Sequence, residues 1–463
     1  MITYSIIKKS ELEGVHRLDA EYYQPEYLEI SKKLRSISCK TLDEISDKVI
    51  SFGAYALTSL IEWETDDGIP FIVAGNIKEG IIDYGDVRYI TEKTDEILKK
   101  SRVKEDQVLL AMSGSVGNAA VAVDIPQRLN SNQDIVKITP KKGISPYFLA
   151  AFLNSKYGKE QVLRLPVGSV QQHIFLWQIK SLLVPIVSKN KTKEVEEIYK
   201  QALGLLSKSK KYYSQAKDLL LEELGLRDFK FEDNLTFVVN LSEVKSARRA
   251  DAEYFQPKYE KVISLIKAKS QIHRLNEITT VKRGSLIDPR FYDDIKGTPY
   301  IRGKDFSAGR LEKTNLVYIS EDFKPRNETR VKTGDLVFAS IGSVGTLALV
   351  DEGFNNSFIS NNTGKIAIKD KDGIIPEYLT VVLQSIVGKL QLEKEASQTA
   401  QPKISDSQVR NFYIPTLPKS TQQKIADLVK KSYQARKKSK ELLEEAKRKV
   451  EEMIEKKNYE KKD

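Results

Sequence analysis

Cysteine is almost absent: Cys39 stands alone among 463 residues, so no internal disulfide can form, which fits a reducing cytoplasm. Only three histidines are present, His16, His173 and His273, and they are far apart. A zinc site would have to rest on carboxylates, and no metal site is expected. No apolar run approaches the roughly 18–20 residues of a membrane span. The first residues also lack the basic start and apolar core of a secretory signal. These absences lead to the expectation of a cytoplasmic chain with no membrane partner.

Recognisable catalytic motifs are missing too. There is no Gly-x-x-x-x-Gly-Lys-Ser/Thr loop for a nucleotide. Neither Asn-Pro-Pro nor Asp-Pro-Pro occurs, the signature of amino-methyltransferases acting on bases, and no Pro-Asp opens a nuclease-type carboxylate cluster. Ser113 and Ser115 lack the flanking glycines of a nucleophile elbow. No catalytic residue is assigned, and the balance favours a binding protein.

What is present is written twice. Arg17-Leu18-Asp19-Ala20-Glu21-Tyr22-Tyr23-Gln24-Pro25 returns as Arg249-Ala250-Asp251-Ala252-Glu253-Tyr254-Phe255-Gln256-Pro257. Gly68-Ile69-Pro70-Phe71-Ile72 returns as Gly297-Thr298-Pro299-Tyr300-Ile301, and Gly114-Ser115-Val116-Gly117 as Gly342-Ser343-Val344-Gly345. The offsets (251 − 19 = 232, 299 − 70 = 229, 342 − 114 = 228) stay nearly constant, so a whole domain is duplicated. Solenoid repeats are far shorter, roughly 20–50 residues.

Each copy opens with a short helix, near 27–35 and 259–269. A β-rich stretch follows, with strands expected at 70–77, 108–112, 119–123 and 134–138. Their counterparts are 299–306, 336–340, 346–350 and 365–368. A single helix (146–163; 376–395), a polar loop and a closing strand at Val184-Pro185 or Ile414-Pro415 complete each copy. Segregated strands and helices make the class α+β. The expected domains are 1–187, a long helix within 188–226, 227–418, and a second long helix within 419–463.

Residues 192–224 and 421–457 hold no proline, and their dense charge surrounds an apolar seam. One heptad register fits both. Val195, Ala202, Ser209 and Ala216 take position a, with Ile198, Leu205, Tyr212 and Leu219 at d. In the second stretch a is Ile425, Ser432, Ser439 and Ala446, while d is Leu428, Ala435, Leu442 and Lys449, where the pattern fails and Val450 and Met453 take over. A sustained pattern of this kind argues for a coiled coil. Pairing the two helices antiparallel would put a globular copy at each end of a rod. The alternative is two independent surface helices. A 33-residue helix spans roughly 50 Å, the length of about 15 base pairs of B-DNA.

A net charge of +11 and a pI near 9.1 point to a polyanion such as nucleic acid, or to no more than a lysine-rich solubilising surface. Candidate contacts follow from residue type. Arginine reads guanine, and asparagine or glutamine reads adenine. The glycines of the two Gly-Ser-Val-Gly turns either offer free amides to a phosphate or base edge or only supply positive φ. Beside them stand Ser113, Ser115, Asn118, Ser340 and Ser343. Elsewhere the first copy offers Asn76 and Lys78 after the loop Ser51-Phe52-Gly53-Ala54-Tyr55, then Asn132 and Gln133 beside Asn130 and Ser131, and Gln171 and Gln172. The second, more basic copy offers Lys282, Arg283, Arg290, Arg302 and Lys304 among the aromatics Phe291 and Tyr292, then Asn361, Gln401 and Lys403. Each of these also has an ordinary turn or surface reading.

The paired Gly-x-Pro-aromatic-Ile segments, the paired Gly-Ser-Val-Gly turns, Gln401-Pro402-Lys403-Ile404-Ser405 and the long helices together resemble the specificity (S) subunit of type I restriction-modification systems. The likeness covers nearly the whole chain and departs from the family pattern at Gln171-Gln172-His173-Ile174. It implies two target recognition domains, each reading half of a split, asymmetric double-stranded DNA site, with an antiparallel coiled coil that sets the spacer. It also implies docking on two methyltransferase (modification) subunits, with restriction/translocase subunits added. S-adenosylmethionine, ATP and Mg belong to those partners and no cofactor to this chain. Two other readings remain open: the specificity module of a combined restriction-methylation enzyme, and a coiled-coil adaptor that binds no DNA.

Overall fold

The computed structural model of the chain describes residues 4–9, 12, 17–51, 59–64, 67–85, 87–166, 174–230, 234–293, 296–307, 309–313, 316–323, 330–342, 344–370, 373–396 and 402–456. It divides into two compact units, residues 1–207 with 435–463, and residues 208–434. Each unit therefore holds one globular copy and one half of each long helix.

The duplication extends to every sheet. In the first unit an antiparallel sheet runs in the order Ser46–Ile50, Ile135–Pro140, Val108–Ala111, Ala119–Val121. In the second the order is Thr279–Arg283, Thr363–Ile368, Leu336–Ala339, Leu347–Leu349. A second sheet in the first unit joins Asn130–Ser131, Ile69–Ile72, Arg88–Ile90 and Trp63–Glu64, its first pair parallel. Phe358–Ile359, Thr298–Ile301, Val317–Ile319 and Tyr292–Asp293 repeat it, again with a parallel first pair. The α+β expectation holds.

Alternation along the central strand explains why it is apolar throughout. Val108 and Leu110 face the large core under the helices, while Leu109 and Ala111 face a smaller core against Ile72 and Ile77. Successive side chains leave a strand on opposite faces, so a strand whose two faces both meet apolar cores reads as an unbroken apolar run. Leu336 and Phe338 against Val337 repeat the division.

Two expected elements are cut by side chains that capture backbone groups. The strands expected at 70–77 and 299–306 each break into a strand, a 3-10 turn and a second strand. The turns are Ala74–Asn76 and Gly303–Asp305. Asn76 Oδ1 accepts from Val73 N (2.8 Å) and Asp305 Oδ2 accepts from Arg302 N (2.8 Å), which bends the chain. The single helices expected at 146–163 and 376–395 are pairs, Pro146–Asn154 with Lys156–Leu163 and Pro376–Gln384 with Ile386–Glu395. Ser155 and Ser385 cap the second member of each pair through their hydroxyls. Gly158 and Gly388 let the halves touch, since a Cβ there would meet Phe152 O at 2.2 Å or Leu383 O at 2.1 Å.

A repeated clamp fastens the start of each copy. The Arg17 guanidinium bonds Asp19, donates to Leu165 O and Pro166 O, and lies 4.3 Å from the Tyr22 ring centroid. Arg249 does the same with Asp251, Lys394 O, Glu395 O and the Tyr254 ring. The arginine hydrogen bond holds each carboxyl below its usual pKa against the opposing effect of burial.

The long helices are Lys189–Glu223 and Lys419–Glu455. In the first unit Ser439 Oγ donates to Ala202 O at 2.7 Å and Lys449 bonds Glu194 at 2.5 Å, so the partner number falls as the residue number rises: the pairing is antiparallel. In the second unit Ser209 Oγ meets Ser432 Oγ at 3.0 Å, and Ala216, Leu220 and Leu224 share a core with Ile425, Ala426 and Val429. All the small residues expected at a are buried. The d assignment needs correction. Ile198, Leu205, Tyr212, Leu219 and Leu428 are only half-buried, whereas Tyr199, Leu206, Leu220, Val429, Leu443 and Val450, one residue later, are buried. Of the two remaining apolar d residues, Ala435 is half-buried and Leu442 is buried beside Leu443. With 3.6 residues per turn, positions three and four along both flank the seam. The helices also pack on their own globular copies, so the apolar stripe is wider than a coiled-coil seam alone.

Candidate nucleic-acid interface

The two Gly-Ser-Val-Gly segments join neighbouring strands of the first sheet in each copy. Gly114 and Gly342 (φ +60° and +80°) stand with nothing near the Cβ position, so the tip of each turn is open. Gly117 and Gly345 (φ +82° and +99°) face inward, against Lys159 and Leu392 respectively. Positive φ is thus a requirement of the turn, and the open tip keeps its surface role available.

Backbone bonds gather other candidates round each tip. In the first copy Met112 N donates to Asp134 O (2.8 Å), which brings Asn132 and Gln133 beside Ser113, Ser115 and Asn118. Asn118 Nδ2 reaches Ile77 O (3.2 Å), which adds Lys78. All six of these side chains are half-buried. Gln171 and Gln172 lie outside the described residues, as do Phe52 to Tyr55 of the preceding loop.

In the second copy Ser340 N donates to Asn362 O (2.9 Å), Ile404 N to Ser340 O (3.0 Å) and Gly342 N to Pro402 O (3.2 Å). The turn and the Pro402-Lys403-Ile404 segment, remote in sequence, therefore form one edge, with a bridge between Ile341 and Lys403. Lys403 and Asn362 are exposed and Asn361 is half-buried on that edge. Ser360 N donates to Ile301 O (2.9 Å), which adds Arg302 and the exposed Lys304 on the following turn. A surface groove of about 920 Å³ beside this edge is lined by Arg249, Asp251, Arg283, Lys403 and Asp406 among others. Ser343 and Gln401 fall outside the described residues.

Several candidates prove to be framework. The Asn76 amide is engaged with Val73 N and Asp83 O (2.9 Å), and the residue is buried. Ser340 is fully buried. Arg283 bonds Asp406 (2.9 Å) and Ile404 O (3.0 Å), tying the loop to the sheet. Arg302 leans on buried Asp305. Phe291 and Tyr292, read as aromatics interleaved with a basic cluster, pack against Phe323 and Tyr300 in a small core. The basic cluster itself is dispersed. Exposed Lys282 sits on the first sheet, and Arg290, paired with Asp288 at 2.8 Å, precedes the strand at the edge of the second sheet opposite Phe358–Ile359.

One group was not among the candidates read from the sequence. Lys137 is fully buried with its amine on Ser131 Oγ at 2.9 Å, next to a polar knot of Asp95, Asn130 and Ser101. The lysine recurs in the second copy as Lys365 (365 − 137 = 228), whose amine donates to Arg330 O at 2.6 Å, while Phe358 and Ile359 take the places of Asn130 and Ser131. Burial pulls the Lys137 ammonium down to about 8. Among the described residues no group of three or more His, Cys, Asp or Glu could hold a metal, and no helix is long and apolar enough to cross a membrane.

Comparison with known proteins fits this duplicated framework. The sequence profile of the type I restriction modification DNA specificity domain matches twice, over residues 39–211 and 268–448. The chain belongs to that family. Among relatives of this specificity protein, the type I restriction enzyme MjaVIII specificity subunit of Methanocaldococcus jannaschii is 21% identical over 84% of this chain and 86% of its own. The EcoKI specificity subunit of Escherichia coli K12 is 20% identical over 72% and 68%. With the EcoBI specificity subunit of Escherichia coli the match reaches 24% identity but spans only 32% of either chain. The crystal structure of the type I restriction-modification system S subunit from M. genitalium is 14% identical, covering 90% of this chain and 95% of that one with a TM-score of 0.42.

Proposed function

We infer that this chain is the DNA-recognition subunit of a type I restriction-modification complex. Each globular copy reads one half of a bipartite, asymmetric site, and the paired long helices set the spacer between the halves. The observation that carries the reading is a framework repeated strand for strand while its edge residues diverge. The edge of the first copy is built from serine, asparagine and glutamine with the half-buried Lys78, and that of the second from asparagine with the exposed Lys304 and Lys403. A frame kept constant under changed edges suits two readers of different half-sequences. Direct readout works through such side chains on base edges in the major groove, while lysines and arginines on phosphates supply affinity and register.

This chain binds and positions; chemistry is assigned to others. Two methyltransferase subunits bring S-adenosylmethionine, and restriction/translocase subunits bring ATP and Mg. The two-fold character of the repeats suits two identical methyltransferase partners. The test is an exchange of residues 40–185 for the corresponding domain of a relative. The expected result is a change in one half-site with the other unaltered. A change in both halves would refute the assignment of one domain to one half-site.

A further inference from the structure

Next to each recognition edge stands a hairpin whose tip no candidate contact uses. In the first copy Ile77–Lys78 pairs with Ile81–Ile82, and Gly80 turns the chain at φ +86°. In the second Phe306–Ser307 pairs with Arg310–Leu311, and Gly309 turns it at φ +74°. The glycines correspond, since 309 − 80 = 229.

Both tips are held by a tyrosine of the first long helix. Tyr199, buried, donates its hydroxyl to Gly80 O at 2.8 Å, while Gly80 N donates to Ala119 O at 2.9 Å. The helix, the hairpin and the strand that follows the Gly-Ser-Val-Gly turn are thus linked in series. The second copy makes the same link through a relay. Tyr213 hydrogen-bonds Gln384, whose amide donates to Gly309 O (3.1 Å) and Leu347 O (2.7 Å). Leu347 matches Ala119 (347 − 119 = 228) and Gln384 matches Asn154 (384 − 154 = 230). The shorter Asn154 amide clasps Ala119 at 2.9 and 2.7 Å and does not extend to the hairpin, its other bond going to Ala150 O of its own helix (2.8 Å).

The second long helix closes the grip. Gly80 abuts Leu443, and Glu79 takes hydrogen bonds from Lys159 and Lys447, the latter at 2.8 Å. Burial acts to raise the Glu79 pKa, but the two ammonium partners overcome it and hold the carboxyl below its usual range. Arg310 lies 5.2 Å from the Tyr433 ring centroid and within 3.5 Å of Ser432 Oγ. Side chains of larger size at Gly80 or Gly309 would displace Leu443 or Gln384, at 2.9 and 2.7 Å from the Cβ position.

We propose that the two hairpins are positioning clasps, which fix each recognition edge at a set station along the long helices and thereby make the accepted spacer sharp. Lys78 lies on one clasp, and Lys304 leads into the other, so a slack clasp moves candidate contacts relative to the helices. Tyr199, Lys447, Tyr213 and Gln384 are positioning residues and touch no DNA. The proposal rests on the DNA-recognition reading above.

The test uses the full chain assembled with its methyltransferase partners, on duplexes whose half-sites are separated by the native spacer or by one base pair more or less. Tyr199→Phe with Lys447→Met loosens the first clasp, and Tyr213→Phe with Gln384→Ala the second; Lys447→Arg keeps the charge. Each pair of changes should lower the preference for the native spacer about tenfold, a difference of ~1.4 kcal/mol, while Lys447→Arg keeps the preference. Equal loss of methylation on all three spacers, with the preference intact, would mean that the clasps only add stability and would overturn the proposal. So would an unchanged enzyme. A wild-type assembly that methylates without any spacer preference would instead sink the underlying DNA-recognition reading.

Discussion

Replacing Lys137 by methionine should stabilise the protein near neutral pH, and the gain should vanish in alkali. The amine is fully buried and its hydrogen-bond partner is Ser131 Oγ. Burial lowers its pKa from 10.5 to about 8, which corresponds to ~3 kcal/mol of unfavourable charge burial. Below pH 8 the lysine is protonated folded and unfolded, so the whole penalty is present. Between pH 8 and 10.5 the unfolded chain holds more protons, and stability therefore rises with pH. Methionine keeps the apolar stem and removes the ammonium, at the loss of one hydrogen bond of about 1 kcal/mol. The expected net gain is ~2 kcal/mol at pH 7, shrinking to nothing and reversing by about pH 10.5. Urea unfolding of wild type and Lys137→Met from pH 6.5 to 10.5 reads the difference directly, because other titrating groups are common to both proteins. A gap that does not change with pH, or a variant less stable at pH 7, would refute the reasoning.

Three further outcomes are expected. Gly388→Ala places a Cβ 2.1 Å from Leu383 O, and backbone cannot yield cheaply. It should cost about 1–3 kcal/mol, seen as a lower urea midpoint; an unaltered midpoint would mean that the helix pair is free to part. Ser432→Leu fills the seam where Ser432 meets Ser209 and should lower stability by about 1–3 kcal/mol, whereas Lys431→Leu on the exposed face of the same helix should leave the midpoint within about 0.5 kcal/mol. Lys403→Ala should weaken binding to all duplexes alike and lower the slope of log affinity against log salt by ~1; a change in base preference with the slope intact would make Lys403 a reader of bases.

Much of the fold was legible because duplication supplied a second reading of each element. Strands such as Val108–Ala111 and Leu336–Ala339 carry matching apolar runs, and the small residues of the helix seam recur at a fixed offset. The broken helices were harder to see. Ser155 and Ser385 are good caps, but nothing in composition distinguishes a cap from a surface serine inside a long apolar helix. The d row was misplaced by one residue because Ile198 and Tyr199, or Leu428 and Val429, are adjacent apolar residues. Only packing on the globular copies decides which enters the seam.

The candidate contacts divide along a physical line. Residues on the open edge, such as Lys403, Asn361 and Gln133, were identified from type and repeat position. Asn76, Arg283 and Ser340 carry the same chemistry, yet they satisfy the backbone or lie buried. Residue type cannot tell a side chain that reads a base from one that closes a turn. The tyrosine links of the clasps had no signal in the sequence either, since Tyr199 and Tyr213 look like ordinary helix residues until Gly80 and Gln384 arrive beside them.

The central claim is that two diverged readers are held at a fixed separation. Mapping methylated adenines across the host genome tests it most directly. The account predicts one motif made of two different half-sequences separated by a constant number of unspecified base pairs. A single continuous motif, two identical halves, or half-sites found at many separations would contradict it.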